Sequence, residues 1–422
     1  MQNNSIKPKI IFSPMAYIAQ LKHVERFIPY LKDKYDIGFL FIGKHSSRRQ
    51  EVIEYCNKKG YEFYVIEEGF VKDQKVRIPI ITPLWERYLH SKACRKFLDS
   101  VNPQKIITTR AIPSADTILK EANRKGTDTI VLQWSGSALR RAALLNEKPD
   151  KTLVRKLHDY LLKIISNILD IPYKEPRFGL APANPAKMGV FDDDEAKNGL
   201  GRHHDSGTVH IVGSPDFQFI DELKQKIDSK PSLKKQLLDK YDLSENKLKI
   251  LIILFRYYRT PPDKYKMTIS EHVAHYYEVL KKMREVFSES EADIMLKIHP
   301  GEYSEGQANI YESYKKLGIK LYVGQSKTDE LLCLSDLCIT EPQTSVNYMI
   351  LASNTPAIFL NMHHRTDIDK LAPFFGIKHI VKKEDDFVNL LQQFKDGELP
   401  KQYDNSDIEL KSVDNAVELI NR

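Results

Sequence analysis

Short apolar runs of strand length alternate with amphipathic helical stretches along nearly the whole chain, and this rhythm restricts the fold more than any other feature. Apolar runs stand at 9–12, 37–42, 62–66, 105–109, 128–133 and 208–213. Between the first two, Ile18, Leu21, Val24, Phe27, Ile28 and Leu31 recur at helical spacing and predict a helix over 18–31. Further helices are predicted over 49–58, 82–99 and 114–124. Parallel strands need crossover connections, so the βαβα order predicts a parallel sheet covered by helices on both faces. A second series opens with the apolar run 248–255 and continues with strands at 293–298, 319–323, 337–339 and 357–360. Its predicted helices cover 269–287, 310–317, 328–334 and 345–352.

The chain has 422 residues, too many for one typical core. The expected fold class is α/β, with two Rossmann-like, doubly wound parallel-sheet domains facing a central cleft. The first would span 1–215, a charged helical linker 216–245, the second domain 246–385, and a C-terminal helical tail 386–422. The stretch 175–207 is polar, punctuated by Pro and Gly, and carries the acidic cluster Asp192-Asp193-Asp194-Glu195.

Charge narrows the partners. The 64 basic and 57 acidic residues leave a net charge of +7, which suits an anionic ligand or a membrane surface and calls for no nucleic acid. Cys56, Cys94, Cys333 and Cys338 are widely spaced and lack the partners of a zinc site, so reduced thiols in a cytosolic protein are expected. The amino terminus has no signal-peptide architecture, and no apolar window approaches the ~18 residues of a spanning helix. The expected location is the cytoplasm, with peripheral contact at the inner face of the cell membrane as an extension. The stretch 152–169 bears on that extension. Leu153, Val154, Leu157, Leu161, Ile164, Ile165, Ile168 and Leu169 form a helical stripe, for which core packing is favoured over an anionic membrane surface.

The residues able to do chemistry cluster at the carboxyl ends of predicted strands, where open α/β sheets hold ligands. Arg256 and Arg259 follow the run ending at Phe255; their planar forks match phosphate oxygens, against the alternative of a solvated loop. Lys297-Ile298-His299-Pro300-Gly301 ends the next strand. A His before Pro is held in extended backbone, and an imidazole there can bond a phosphate oxygen or protonate a leaving group. Ile339-Thr340-Glu341-Pro342-Gln343-Thr344-Ser345 ends a third strand. Thr344 and Ser345 stand at a predicted helix start, which suits an N-cap and equally a phosphate site. Asn347 can add a contact, and Gln343 can face the sugar or glycerol portion.

In the first half, Gln133-Trp134-Ser135-Gly136-Ser137-Ala138-Leu139-Arg140-Arg141 ends a strand with small residues, hydroxyls and two cations. It reads either as packing around Trp134 or as an acceptor or phosphate site at Ser135, Ser137, Arg140 and Arg141. Glu67-Glu68-Gly69 also ends a strand and offers Glu68 as a general base, although such pairs are frequent in solvated turns.

The order of these motifs resembles the two-domain GT-B arrangement of many glycosyltransferases, of non-hydrolysing UDP-N-acetylglucosamine 2-epimerases, and of the CDP-glycerol glycerophosphotransferases of teichoic acid synthesis. The stretch 133–141 is similar to the Trp-His-Gly-Thr-Pro-Leu-Lys-Lys signature of the glycerophosphotransferases. Gly213-Ser214-Pro215-Asp216 resembles their Gly-Tyr-Pro-Arg-Asn-Asp turn, His299-Pro300 their His-Pro element, and 340–345 their Thr-Asp-Tyr-Ser-Ser element. Their His in the first signature is Ser135 here. The epimerases share the Gly-Ser-Pro turn, the His-Pro pair and the helix start, but Thr109-Arg110 and Ser135-Gly136 stand where they keep acids. Glu67-Glu68-Gly69 is similar to the acid motif of GT-B sialyltransferases, one or two strands early.

The resemblance implies transfer of a sugar or polyol phosphate from a nucleotide-sugar or CDP-polyol donor to a surface-polysaccharide acceptor, glycan or lipid-linked, as in capsule and cell-envelope assembly. The donor would lie on Arg256, Arg259, Lys297, His299, Gln343, Thr344, Ser345 and Asn347, and the acceptor near Ser135, Ser137, Arg140 and Arg141. His299, Glu68 and Ser135 are the catalytic candidates, with no metal and no cofactor beyond the donor itself. An epimerase-like enzyme and a non-catalytic GT-B assembly partner are the alternatives.

Overall fold

The computed structural model describes residues 7–14, 18–43, 46–67, 81–109, 113–133, 185–197, 205–253, 269–298, 308–322, 327–342, 346–364, 366–406 and 409–422, with Tyr160, Leu161, Ile164, Ile165 and Ile168. The chain forms two compact units, Met1–Pro215 with Lys411–Arg422, and Asp216–Leu410.

In the first unit, β1 (Lys9–Ser13), β2 (Asp36–Gly43), β3 (Glu62–Glu67), β4 (Lys105–Thr108), β5 (Asp128–Leu132), β6 (Lys187–Val190) and β7 (Val209–Ile211) make one sheet in the order β3-β2-β1-β4-β5-β6-β7. Every pairing is parallel. In the inner strands β1, β4 and β5 side chains alternate between two buried faces, which is why these strands read as continuous apolar runs. Ile10, Phe12, Ile107, Ile130 and Leu132 enter one core, shared with the helices Ile18–Glu25 and Ser47–Lys59. Ile11, Ile106 and Val131 enter the other, beneath the helices Ile81–Val101 and Pro113–Arg124.

In the second unit, β8 (Leu248–Ile253), β9 (Ala292–Lys297), β10 (Lys320–Tyr322), β11 (Leu337–Thr340) and β12 (Ala357–Phe359) form a parallel sheet in the order β10-β9-β8-β11-β12. The helix Ile269–Val286 lays Tyr276, Val279, Leu280 and Met283 over Ile250, Ile252, Ile294, Leu296 and Ile339.

Several features depart from the sequence expectations. The helix predicted over 18–31 is two, Ile18–Glu25 and Ile28–Leu31. Pro29 lies in the first turn of the second, where a missing N–H breaks no intrahelical bond. The expected linker 216–245 is part of the second unit as the helices Pro215–Ser229 and Pro231–Lys240. Pro231 divides them, and Lys224 Nζ donates to the Cys333 carbonyl at 3.1 Å. Strand β6 lies in the polar stretch 175–207. The expected tail 386–422 divides: residues up to Leu410 stay with the second unit, and Ser412–Asn421 returns to the first. There Val413, Ala416, Leu419 and Ile420 join the core around Ile10 and Phe12.

The stripe in 152–169 does not pack as expected where it is described. Tyr160 is 61% exposed and Ile168 76%, with Leu161 and Ile164 also exposed. Periodicity reports an amphipathic helix and leaves open what covers it. Among the described residues, no helix is long and apolar enough to cross a membrane.

Candidate functional site

From β8 the chain of the second unit moves outward to β9 and β10, then returns to β11 on the other side of β8. The switch point thus lies between β8 and β11, and the crevice beyond their carboxyl ends is where such sheets bind ligands. The ends are in register: Ile253 is opposite Thr340 on one side and Lys297 on the other. Thr340 Oγ1 donates to the Ile253 carbonyl at 3.2 Å and ties the two strand ends together.

Lys297 closes β9. Ile294, Leu296 and Ile298 belong to the core under Ile269–Val286, so strand alternation turns Lys297 to the opposite face. It is only 3% exposed, and its ammonium lies 3.4 Å from the Ile298 carbonyl. No carboxylate among the described residues pairs with it, and burial lowers its pKa from the usual lysine value. A buried cation without a counter-charge is costly. An anionic ligand group at this edge would supply that charge.

Beyond β11, Glu341 is buried and accepts a hydrogen bond from the Tyr276 hydroxyl at 2.8 Å. The contact joins the segment after β11 to the helix after β8. Asn347 sits in the first turn of the helix Val346–Ser353 and is fully buried. Its Nδ2 donates to the Glu341 carbonyl at 3.4 Å, and its Oδ1 finds no partner among the described residues. Its amide therefore holds the segment before the helix start. The amides of such a start point outward and favour anions.

The rings of His275 and His363 lie 4.3 Å apart between centroids. His275 is on the helix after β8, and His363 follows β12. Burial lowers the His275 pKa, with Glu384 pulling the other way. A neutral imidazole at neutral pH is a hydrogen-bonding group rather than a cation.

No protein-family model matches the sequence, and no curated protein matches it. Solved structures match the fold. UDP-GlcNAc 2-epimerase from Neisseria meningitidis, bound to UDP-GlcNAc, gives a TM-score of 0.58 at 10% identity, over 98% of this chain and 99% of that one. The epimerase from Methanocaldococcus jannaschii gives 0.58 at 11% identity with the same coverage. MurG of Acinetobacter baumannii gives 0.51 at 10% identity, again over 98% and 99%. Two parallel-sheet units are matched from end to end. The chain has the GT-B fold.

Among the sequence candidates, Lys297 and Asn347 are described, and both fall at the carboxyl edge of the second unit of this GT-B chain. Arg256, Arg259, His299, Gln343, Thr344 and Ser345 lie outside the described residues, as do Glu68, Ser135, Ser137, Arg140 and Arg141. Glu67, the neighbour of Glu68, accepts from Arg49 at 2.8 Å, and Arg49 also donates to the Gly43 carbonyl at 2.7 Å. That carboxylate is tied to the frame of β2 and β3.

Sequence reasoning passed over Tyr276, Glu341, His275 and His363. A signal existed for two of them. Glu341 follows the apolar strand β11 directly and His363 comes four residues after the end of β12, close to the pattern that singled out His299. Tyr276 and His275 gave none, since a helical Tyr or His next to apolar positions reads as packing.

Proposed function

We propose that this protein is an enzyme acting on a nucleotide-activated donor, transferring a sugar or polyol phosphate to a surface-polysaccharide acceptor. The observation that carries the reading is Lys297, a buried ammonium without a carboxylate partner among the described residues, at the strand edge beside the switch point. A phosphate of the donor meets that need, and the start of the helix Val346–Ser353 offers amides for the same charge. His299, Arg256, Arg259, Gln343, Thr344 and Ser345 adjoin these positions in sequence and complete the proposed donor half. The first unit takes the acceptor, with Ser135, Ser137, Arg140 and Arg141 at the end of β5 in sequence. Electrostatic stabilisation of the departing nucleotide by cations and amides is the proposed source of rate enhancement. His299 serves as proton donor, and Glu68 or Ser135 acts at the acceptor. The experiment is a screen of UDP-, CDP-, CMP- and GDP-linked donors for binding, then for transfer. Binding of a donor with turnover supports the reading, and failure to bind any donor refutes it.

A second reading is favoured by the two epimerases matched at TM-score 0.58, one of them holding UDP-GlcNAc. In it, the protein epimerises a UDP-sugar at C2. Incubation with UDP-GlcNAc alone separates the two: appearance of the C2 epimer without an acceptor selects the epimerase.

The exposed side chains of Tyr160, Leu161, Ile164 and Ile168, with Arg155, Lys156 and Lys163 nearby in sequence, support peripheral contact with an anionic membrane that carries the acceptor.

A further inference from the structure

The sheet of the first unit has its own switch point, between β1 and β4. Three polar residues continue one face of the sheet there. Ile11, Ile106 and Val131 enter the core beneath Ile81–Val101 and Pro113–Arg124. Two residues further along each strand come Ser13, Thr108 and Gln133, on the same face by alternation. Ser13 is opposite Thr108, and Thr108 is opposite Val131. All three are buried, at 8%, 0% and 4% exposure.

Two of them are unsatisfied. Thr108 Oγ1 and both side-chain polar atoms of Gln133 find no hydrogen-bond partner among the described residues. The Gln133 backbone is committed, its N–H donating to the Gly189 carbonyl at 2.8 Å. The side-chain amide is what remains free. Buried polar atoms are normally paired, and those that are not point to a role other than packing. Valine and leucine would fill the same space without the desolvation cost.

We propose that Thr108 and Gln133 bind a neutral, hydroxyl-bearing group, the sugar or polyol part of an acceptor, at this edge. The inference rests on the reading of the first unit as the acceptor half. Its chemistry follows from the two side chains. A hydroxyl and a primary amide each donate and accept, and a ligand hydroxyl does both in return. A phosphate or carboxylate only accepts, and would face the Gln133 oxygen unpaired. The charged residues of β4 and β5, Lys105 and Asp128, stand at the opposite ends of those strands and pair with each other at 2.6 Å. Neither strand therefore contributes a formal charge at the site.

The test uses the full-length chain with T108V, Q133L and T108S. The probes are the methyl glycosides of glucose and N-acetylglucosamine, titrated calorimetrically, with UDP titrated separately. Wild type is expected to bind at least one glycoside. T108V and Q133L should each melt above wild type without ligand, since an unpaired buried polar atom is gone. Each should weaken glycoside binding about tenfold or more, with UDP binding unchanged. T108S keeps the hydroxyl and should keep the affinity. Absence of glycoside binding in wild type overturns the proposal, as does undiminished binding in T108V and Q133L. Loss of affinity in T108S overturns the role of the hydroxyl. Failure of wild type to bind UDP or any other nucleotide donor would instead refute the donor reading, and the glycoside titration decides this inference by itself.

Discussion

The Tyr276 hydroxyl donates to the Glu341 carboxylate at 2.8 Å, so the helix that follows β8 is fastened to the segment that follows β11. Both residues are buried, at 3% and 1% exposure. Removing the hydroxyl from a buried carboxyl group costs about 1–3 kcal/mol. Y276F is therefore expected to lower the unfolding free energy by that amount in denaturant melts and to weaken UDP binding several-fold. Unchanged stability together with unchanged binding would mean that the contact does not organise this edge.

Lys297 sets the pH dependence. Its pKa in the folded protein is lowered by burial, below an unfolded value of about 10.4. Between the two, the unfolded chain binds the additional proton, so the stability of the ligand-free protein rises with pH in that alkaline window. K297M replaces the buried ammonium with an apolar chain of similar length. It should raise the melting temperature near neutral pH and flatten the alkaline rise, as read by thermal melts across pH. A lower melting temperature with the same pH slope would show that Lys297 is satisfied by the protein itself.

The returning C-terminal helix is a structural part of the first unit. Leu419 is 2% exposed and packs in the core around Ile10 and Phe12. L419A should cost about 2–5 kcal/mol, the range for a buried Leu truncated to Ala, measured by chemical denaturation. UDP binding, assigned to the second unit, should persist under native conditions. Loss of UDP binding in a folded L419A protein would contradict that assignment.

Membrane contact is testable at Ile168, which is 76% exposed. Wild type should sediment with phosphatidylglycerol vesicles in a salt-sensitive manner. I168D should reduce the bound fraction, because a carboxylate opposes both apolar insertion and the anionic surface. Equal sedimentation of the two proteins would remove this face from consideration.

The alternation of elements was legible because burial of both sheet faces writes each inner strand as an apolar run. Strand β6 was not, because Lys-Met-Gly-Val is short and interrupted by Gly189. That glycine suits the close packing there: a Cβ would lie 2.8 Å from Leu132 Cδ2 and Val212 Cγ2, and those side chains would have to shift to admit it. The return of Ser412–Asn421 to the first unit was hidden for another reason, since an amphipathic pattern does not say which core it joins. Lys297 was legible as a cation at a strand end. Its burial without a carboxylate partner is a tertiary fact, and so is the Tyr276–Glu341 contact. Thr108 lay inside the run 105–109 and read as a strand residue, and Gln133 closed the run 128–133 ahead of the hydroxyls and cations that drew the reading. Only the alternation of the two cores puts them on one face.

The most direct measurement is calorimetric titration of UDP into the full-length wild type and K297M. Wild type is expected to bind with saturable, one-to-one stoichiometry, and folded K297M at least tenfold more weakly, about 1.4 kcal/mol or more. Equal affinities, or no binding of UDP or any other nucleotide by wild type, would contradict a donor site built on Lys297.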